Sequence, residues 1–134
     1  MAWGLSRVEG GAEIRKVWPY VAKFVQRGVN RPTVKLTLQD IATQLDAGSL
    51  DLWVAWQTDD AKAYGAIIAG RDGADYAIRL MEGTHRKHWA DHIDNLVAHA
   101  RAEGLEEVSG RFTRAQSRDL PSFALTAYEM RLAL

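Results

Sequence analysis

The chain has no cysteine. Disulfides, thiolate zinc sites and cysteine nucleophiles are therefore excluded together, and the composition fits a reducing compartment. No apolar run reaches about 18 residues, so no segment reads as a membrane-spanning helix. The opening MAWGLSRVEGGAEIRK carries Arg7 and Glu9 but no apolar stretch, which is not the pattern of a secretory signal. The expectation is a cytoplasmic protein. An excess of one charge is also missing: 17 Lys+Arg stand against 17 Asp+Glu. General nucleic-acid binding needs surplus cations to displace counterions, so that class is excluded. There is no Gly-x-x-x-x-Gly-Lys-Ser/Thr loop for NTP hydrolysis and no Gly-x-Ser-x-Gly to present a nucleophilic serine.

What is present is an ordinary globular composition. Of 134 residues, 47% are hydrophobic and 25% charged, too apolar and too balanced for a disordered chain. No composition shift or linker divides residues 1–134, and one domain of this size buries roughly two-thirds of its unfolded surface.

The apolar pattern begins with helical spacing. Ile14, Val17, Trp18, Val21, Phe24 and Val25 form one stripe within residues 12–27. Pro19 either kinks that helix or, the preferred reading, places its start near Trp18, and Gly28 ends it. A second helix covers 37–47, opened by Thr37 and Asp40 in a capping-box spacing and stopped by Gly48. The period then changes to two. Leu50, Leu52, Val54 and Trp56 alternate with Asp51, Trp53, Ala55 and Gln57, which predicts a strand with Trp56 in the core. Trp53, on the other face, is expected in the core under a helix, with a place lining a cleft or as an exposed binding anchor as alternatives. Residues 63–70 (AYGAIIAG) read as a central strand covered on both faces. A turn at Arg71-Asp72-Gly73 leads to a third strand over 75–82.

The longest helix is expected over 84–103, with Trp89, Ile93, Leu96, Val97 and Ala100 on one face and Gly104 at its end. Residues 106–112 predict a fourth strand, 113–120 a turn or two of helix before Pro121, and AYEMRLAL a fifth strand. The resulting order, ααβββαβαβ, predicts an α/β (α+β) fold: a mixed, mostly antiparallel sheet with helices on both faces. The strand–helix–strand step around 84–103 supplies a parallel crossover. All four histidines, His85, His88, His92 and His99, fall in a stripe about 60° wide on that helix. The stripe reads as boundary packing against the sheet, with metal binding and a pH-sensitive contact surface as alternatives. Trp3, in a glycine-flanked segment, is read as a docking residue for the domain or a partner.

This order resembles the GCN5-related N-acetyltransferase (GNAT) superfamily over essentially the whole chain. It is more closely similar to small GNAT-like proteins of bacteriophages and prophages. The likeness lies in Trp18-Pro19 before a helix, the Leu52-Trp53-Val54-Ala55-Trp56 strand, the Trp89…Ala98…Ala100…Gly104 helix, and Gly110-Arg111 after the next strand. The resemblance implies a fold in which the strand before the long helix splays from its neighbour and leaves a cleft. It implies acetyl-CoA as cofactor, its pyrophosphate bound in the loop after that strand by Gly83, Thr84, His85, Arg86 and Lys87. The family writes that loop Gln/Arg-x-x-Gly-x-Gly/Ala. Here it reads Met81-Glu82-Gly83-Thr84-His85-Arg86-Lys87-His88, a degenerate version in which only Gly83 remains.

By the same resemblance Glu82 is the candidate base and Tyr128 the candidate acid of an acyl transfer to an amine of a small molecule or protein. The alternative is a non-catalytic GNAT-like protein acting by protein–protein contact, with phage structural proteins as partners and a place in a phage particle.

Overall fold

The strand signals at 50–57, 63–70 and 75–82 fold into an antiparallel meander at the centre of a larger sheet. The structure, a computed structural model, describes residues 2–120, 123–126 and 129–134. Among them the elements run β1 Trp3–Val8, α1 Gly11–Val29, α2 Leu38–Asp46, β2 Asp51–Gln57, β3 Asp60–Asp72 and β4 Asp75–Gly83. Then come α3 Arg86–Trp89, a 3-10 turn at Ala90–His92, α4 Ile93–Ala102, β5 Glu107–Gly110, α5 Arg114–Arg118, β6 Ala124–Thr126 and β7 Glu129–Ala133. The strands form one sheet in the order β1-β2-β3-β4-β5-β7-β6. All neighbours are antiparallel except β4 and β5, which pair parallel across the expected crossover.

Each face of the sheet carries its own core. On one, Val21, Phe24 and Val25 of α1 and Ile41 and Leu45 of α2 cover Leu52, Ala66, Ile68 and Leu80. On the other, Trp89 and the α4 stripe Ile93, Leu96, Val97 and Ala100 cover Trp53, Ile67, Tyr76, Ile78 and Met81. Ala66 to Ala69 of β3 have no exposed surface, as a strand covered on both faces requires. Thr37 and Asp40 form the expected capping box: the Thr37 hydroxyl accepts from the Asp40 N–H at 3.0 Å, and the Asp40 carboxylate from the Thr37 N–H at 2.9 Å.

Five expectations need correction. The N-terminal segment is an edge strand: β1 pairs with β2 from Trp3↔Gln57 to Val8↔Leu52. Its glycine and serine content hid a strand whose partner lies about fifty residues away. Helix α1 starts at Gly11 and passes through Pro19. The proline and Arg15, whose carbonyl loses its donor, are both exposed, so water can serve the freed group. Gly28 does not terminate α1, which runs to Val29. A Cβ there would lie 2.3 Å from the Leu80 side chain, so the glycine is a close-approach site between helix and sheet. Trp56 is half-buried rather than core. It lies across Gly4 of β1, and its indole N–H donates to the Ser6 hydroxyl at 2.9 Å.

The fifth correction concerns the helix expected over 84–103. It breaks into α3 and α4 where Trp89 sinks, fully buried, against Gly65 and Gly83. The break splits the histidine stripe. His85 and His88 go to Trp3, with ring centroids 5.9 and 5.0 Å away. His99 goes instead to Trp53 and Tyr76.

Replacing Gly28 by alanine forces a methyl into Leu80. The expected loss is about 1–2 kcal/mol after the small gain in helix propensity. Urea midpoints check this, with a Gly28→Ala/Leu80→Ala double variant losing less than the sum of the two single losses.

Candidate active site at the parting of two strands

Strand β4 has a partner on both edges only in its first half. Its pairing with β5 runs Asp75↔Glu107, Tyr76↔Val108, Ala77↔Ser109 and Ile78↔Gly110, and stops there. On the other edge Ile68 opposes Leu80 while Ala69 opposes Ile78, so Arg79 is an extra residue in β4. Such a bulge bends a strand and sharpens its twist. Here it coincides with the point where β5 departs. From Arg79 to Gly83 the outer edge of β4 has no strand neighbour among the described residues.

Helix α5 fills part of the gap. Gln116 is buried, and its side-chain amide does three things. It accepts from the Thr113 N–H at 3.0 Å as half of a second capping box, it fixes the start of α5, and its NH2 donates to the Met81 carbonyl. One backbone acceptor on the open edge is thus already satisfied.

Beyond Gly83 the chain turns through Thr84 and His85 into α3. The Thr84 N–H donates to the Tyr64 carbonyl at 2.8 Å, and the Thr84 carbonyl accepts from the Trp89 indole at 2.8 Å. His85 sits in the left-handed region at φ 59°, among the described residues the one non-glycine there. It is steadied by edge contact with Tyr64 and by the imidazole of His88. Gly83, His85, Arg86, Lys87 and His88 line a cleft of about 690 Å³ together with Arg118 and Asp119 of the segment after β5. Arg86 is half-buried and donates to the Asp119 carboxylate at 3.2 Å. Lys87 and Arg118 form no ion pair among the described residues. The cleft therefore has three cations against one carboxylate.

Four of the five loop residues expected to bind cofactor, Gly83, His85, Arg86 and Lys87, line this one cleft, and Thr84 lies between them with both backbone groups engaged. Glu82 faces the opposite side of β4. It is buried, and both its oxygens accept from Arg31, in the segment after α1. The hydrogen bond to Glu82 raises the Arg31 guanidinium further above its ordinary value. Tyr128 lies outside the described residues. Sequence reading missed Arg31, Gln116, Arg118 and Asp119, which stand far along the chain from the loop they meet. The Thr113-to-Gln116 spacing was the one legible signal among them.

Gly83 is explained by packing. A Cβ there would lie 2.5 Å from the Tyr64 carbonyl oxygen and 2.7 Å from Gly65 Cα, both backbone. A second polar cluster lies beside the start of β4. The Tyr76 hydroxyl donates to Asp51 at 2.6 Å and accepts from Trp53 at 3.0 Å. Burial and the Asp51 carboxylate push the Tyr76 phenol well above the ordinary tyrosine range, so it stays protonated as a donor.

No protein-family model and no curated protein sequence matches the chain. Solved structures do. A Bacillus subtilis acetyltransferase in complex with CoA superimposes with a TM-score of 0.68 at 8% identity, covering 98% of this chain and 99% of that one. A GNAT family acetyltransferase from Elizabethkingia anophelis with acetyl-CoA bound gives 0.66 at 9%, covering 98% of each chain. An N-acetyltransferase from Staphylococcus aureus Mu50 gives 0.70 at 7%, covering 99% and 98%.

Two outcomes test this geometry. Arg31→Met strands the Glu82 carboxylate and is expected to cost about 2 kcal/mol, below the figure for a fully buried pair because Arg31 is partly exposed; urea denaturation reads it. The second concerns Tyr64, whose hydroxyl donates to Asp60 at 2.6 Å and holds that carboxyl below its ordinary range. A lowered folded value gives stability that is full above the unfolded value near pH 4 and fades as pH falls. The stability gap between wild type and Tyr64→Phe therefore shrinks on titration from pH 6 to pH 3. At 7–9% identity the likeness is one of architecture: the chain has the fold of the GNAT-family acetyltransferases.

Proposed function

We propose that the protein is an acetyl-CoA-dependent N-acyltransferase. The observation that carries this reading is the open edge of β4 from Arg79 to Gly83, ending in a cleft lined by Arg86, Lys87 and Arg118. An unpaired strand edge offers alternating N–H and C=O groups to an extended amide-bearing chain. A cationic cleft suits phosphates. The residues therefore fit a ligand that joins an amide chain to a diphosphate. Two of the structural neighbours are described as CoA or acetyl-CoA complexes.

When bound, acetyl-CoA supplies an activated acyl group as a thioester. Transfer joins the amine nitrogen to the acetyl carbon, breaks the carbon–sulfur bond, and leaves the proton lost by nitrogen on sulfur. Within this reading Gly83 to Lys87 form the pyrophosphate loop through side-chain charge, since α3 has only four residues and adds little dipole. Glu82 is assigned as proton acceptor once Arg31, which holds both its oxygens, releases one of them, and Tyr128 is assigned as proton donor to the sulfur.

A second reading, a non-catalytic protein of this fold working by contact, draws on Gln116 holding the Met81 carbonyl and Asp119 holding Arg86. One titration separates the two. Ligand at about 100 times its dissociation constant stabilises a protein by ~2.7 kcal/mol. Melting with millimolar acetyl-CoA is expected to rise accordingly, and to rise less for Arg86→Glu and Lys87→Glu. An unchanged melting temperature with wild-type protein overturns the transferase reading.

A further inference from the structure

The fork where β5 leaves β4 carries a second cavity, on the α1 side of the sheet. It measures about 280 Å³ and is lined by Lys35 from the segment between α1 and α2, by Arg79 of β4, and by Ser109, Gly110 and Arg111 at the end of β5. Asp72 is the one carboxylate among its lining residues. In a chain with equal numbers of acidic and basic residues, three cations against one anion in so small a space is a local surplus.

The fold builds this arrangement. Arg79 is the bulge residue of β4 and lines the cavity together with the small Ala77. Lys35 and Arg79 have no ion-pair partner among the described residues; Arg111 has a partner of its own, so the argument rests on the other two. Ser109 is almost wholly buried, yet its hydroxyl has no hydrogen-bond partner among the described residues. It is not among the sealed, unsatisfied atoms, so it opens onto the cavity. Free cations and a free hydroxyl around a cavity of this size match a small anionic group, which takes charge-assisted hydrogen bonds from both. The neighbouring edge of β4 leads from this cavity to the Gly83 end, four residues or about 13 Å away.

We propose that the acceptor is a small amine bearing a carboxylate or phosphate, and that Lys35, Arg79 and Ser109 hold that anionic group at the fork. This rests on the transferase reading for the word acceptor; the anion site itself does not.

The test has two arms. In the first, acetyl transfer from acetyl-CoA is compared for phosphoethanolamine against ethanolamine and for aspartate against asparagine. An anionic preference of about tenfold or more in kcat/KM is expected. It falls toward unity in Arg79→Ala through a rise in KM for the anionic amines. Equal or better use of the neutral amines by wild type overturns the proposal. In the second arm no acetyl-CoA is present, and phosphoethanolamine is titrated while the Gly110 amide is followed by NMR. A saturable shift in wild type that is lost in Arg79→Ala, with no transfer to any amine in the first arm, retires the transferase reading and keeps the anion site. No saturable shift and no anionic preference overturns the site. Arg79 and Lys35 are exposed, so both alanine variants are expected to fold, and Lys35→Ala repeats the measurement from a different element.

Discussion

One additional residue in one strand governs the architecture of the candidate site. Because Arg79 is inserted opposite the Ile68–Ala69 step, β4 bends, and its pairing with β5 ends at Ile78↔Gly110. A continuous ladder would have satisfied every backbone group of β4 and left no opening through the sheet. The bulge instead frees about half a strand of hydrogen-bonding edge at the centre of the molecule, where both faces are covered by helices. Unpaired backbone groups inside a fold are costly, and the chain answers in part with Gln116.

The same parting arranges charge on two sides. Arg86, Lys87 and Arg118 gather at the end of β4, on the side of the sheet reached by α3. Lys35, Arg79 and Arg111 gather at the fork, on the side of α1. The pairing of the buried Glu82 with Arg31 ties the end of β4 to the segment following α1. Rigid cores above and below, built on Trp89 and on Phe24, hold these groups in register. A zero net charge thus conceals two basic clefts, which is why bulk charge excludes a general polyanion binder without excluding a specific anionic ligand.

Local signals were legible where local physics decides. The alternation at 50–57, the apolar run at 63–70, the Thr37–Asp40 box and the α4 stripe each record a period or a cap that a short stretch imposes by itself. Edge strand β1 was hidden because Trp3–Val8 is stabilised by a partner some fifty residues later, a relation no short window contains. The break at Trp89 was hidden for a similar reason. Trp89, Ile93 and Leu96 keep helical spacing through the break, and the cause lies in Gly65 and Gly83 beneath the indole. At the site, the loop 83–87 was found from its position after the third strand, through family resemblance. Its partners Gln116, Arg118 and Asp119 belong to a helix of five residues and its cap, too short to show a period. Glu82 carries the expectation of a candidate base; Arg31, fifty-one residues earlier, is what holds its carboxylate inside.

Trp3 lies face to face with His88, 11° from parallel, and the Ala2 carbonyl accepts from the Thr58 N–H at 2.9 Å. Residues 2 and 3 are therefore pinned at the lip of the cleft lined by His85 and His88. Whatever chain is joined ahead of Ala2 emerges beside that opening and can screen it from bulky ligands.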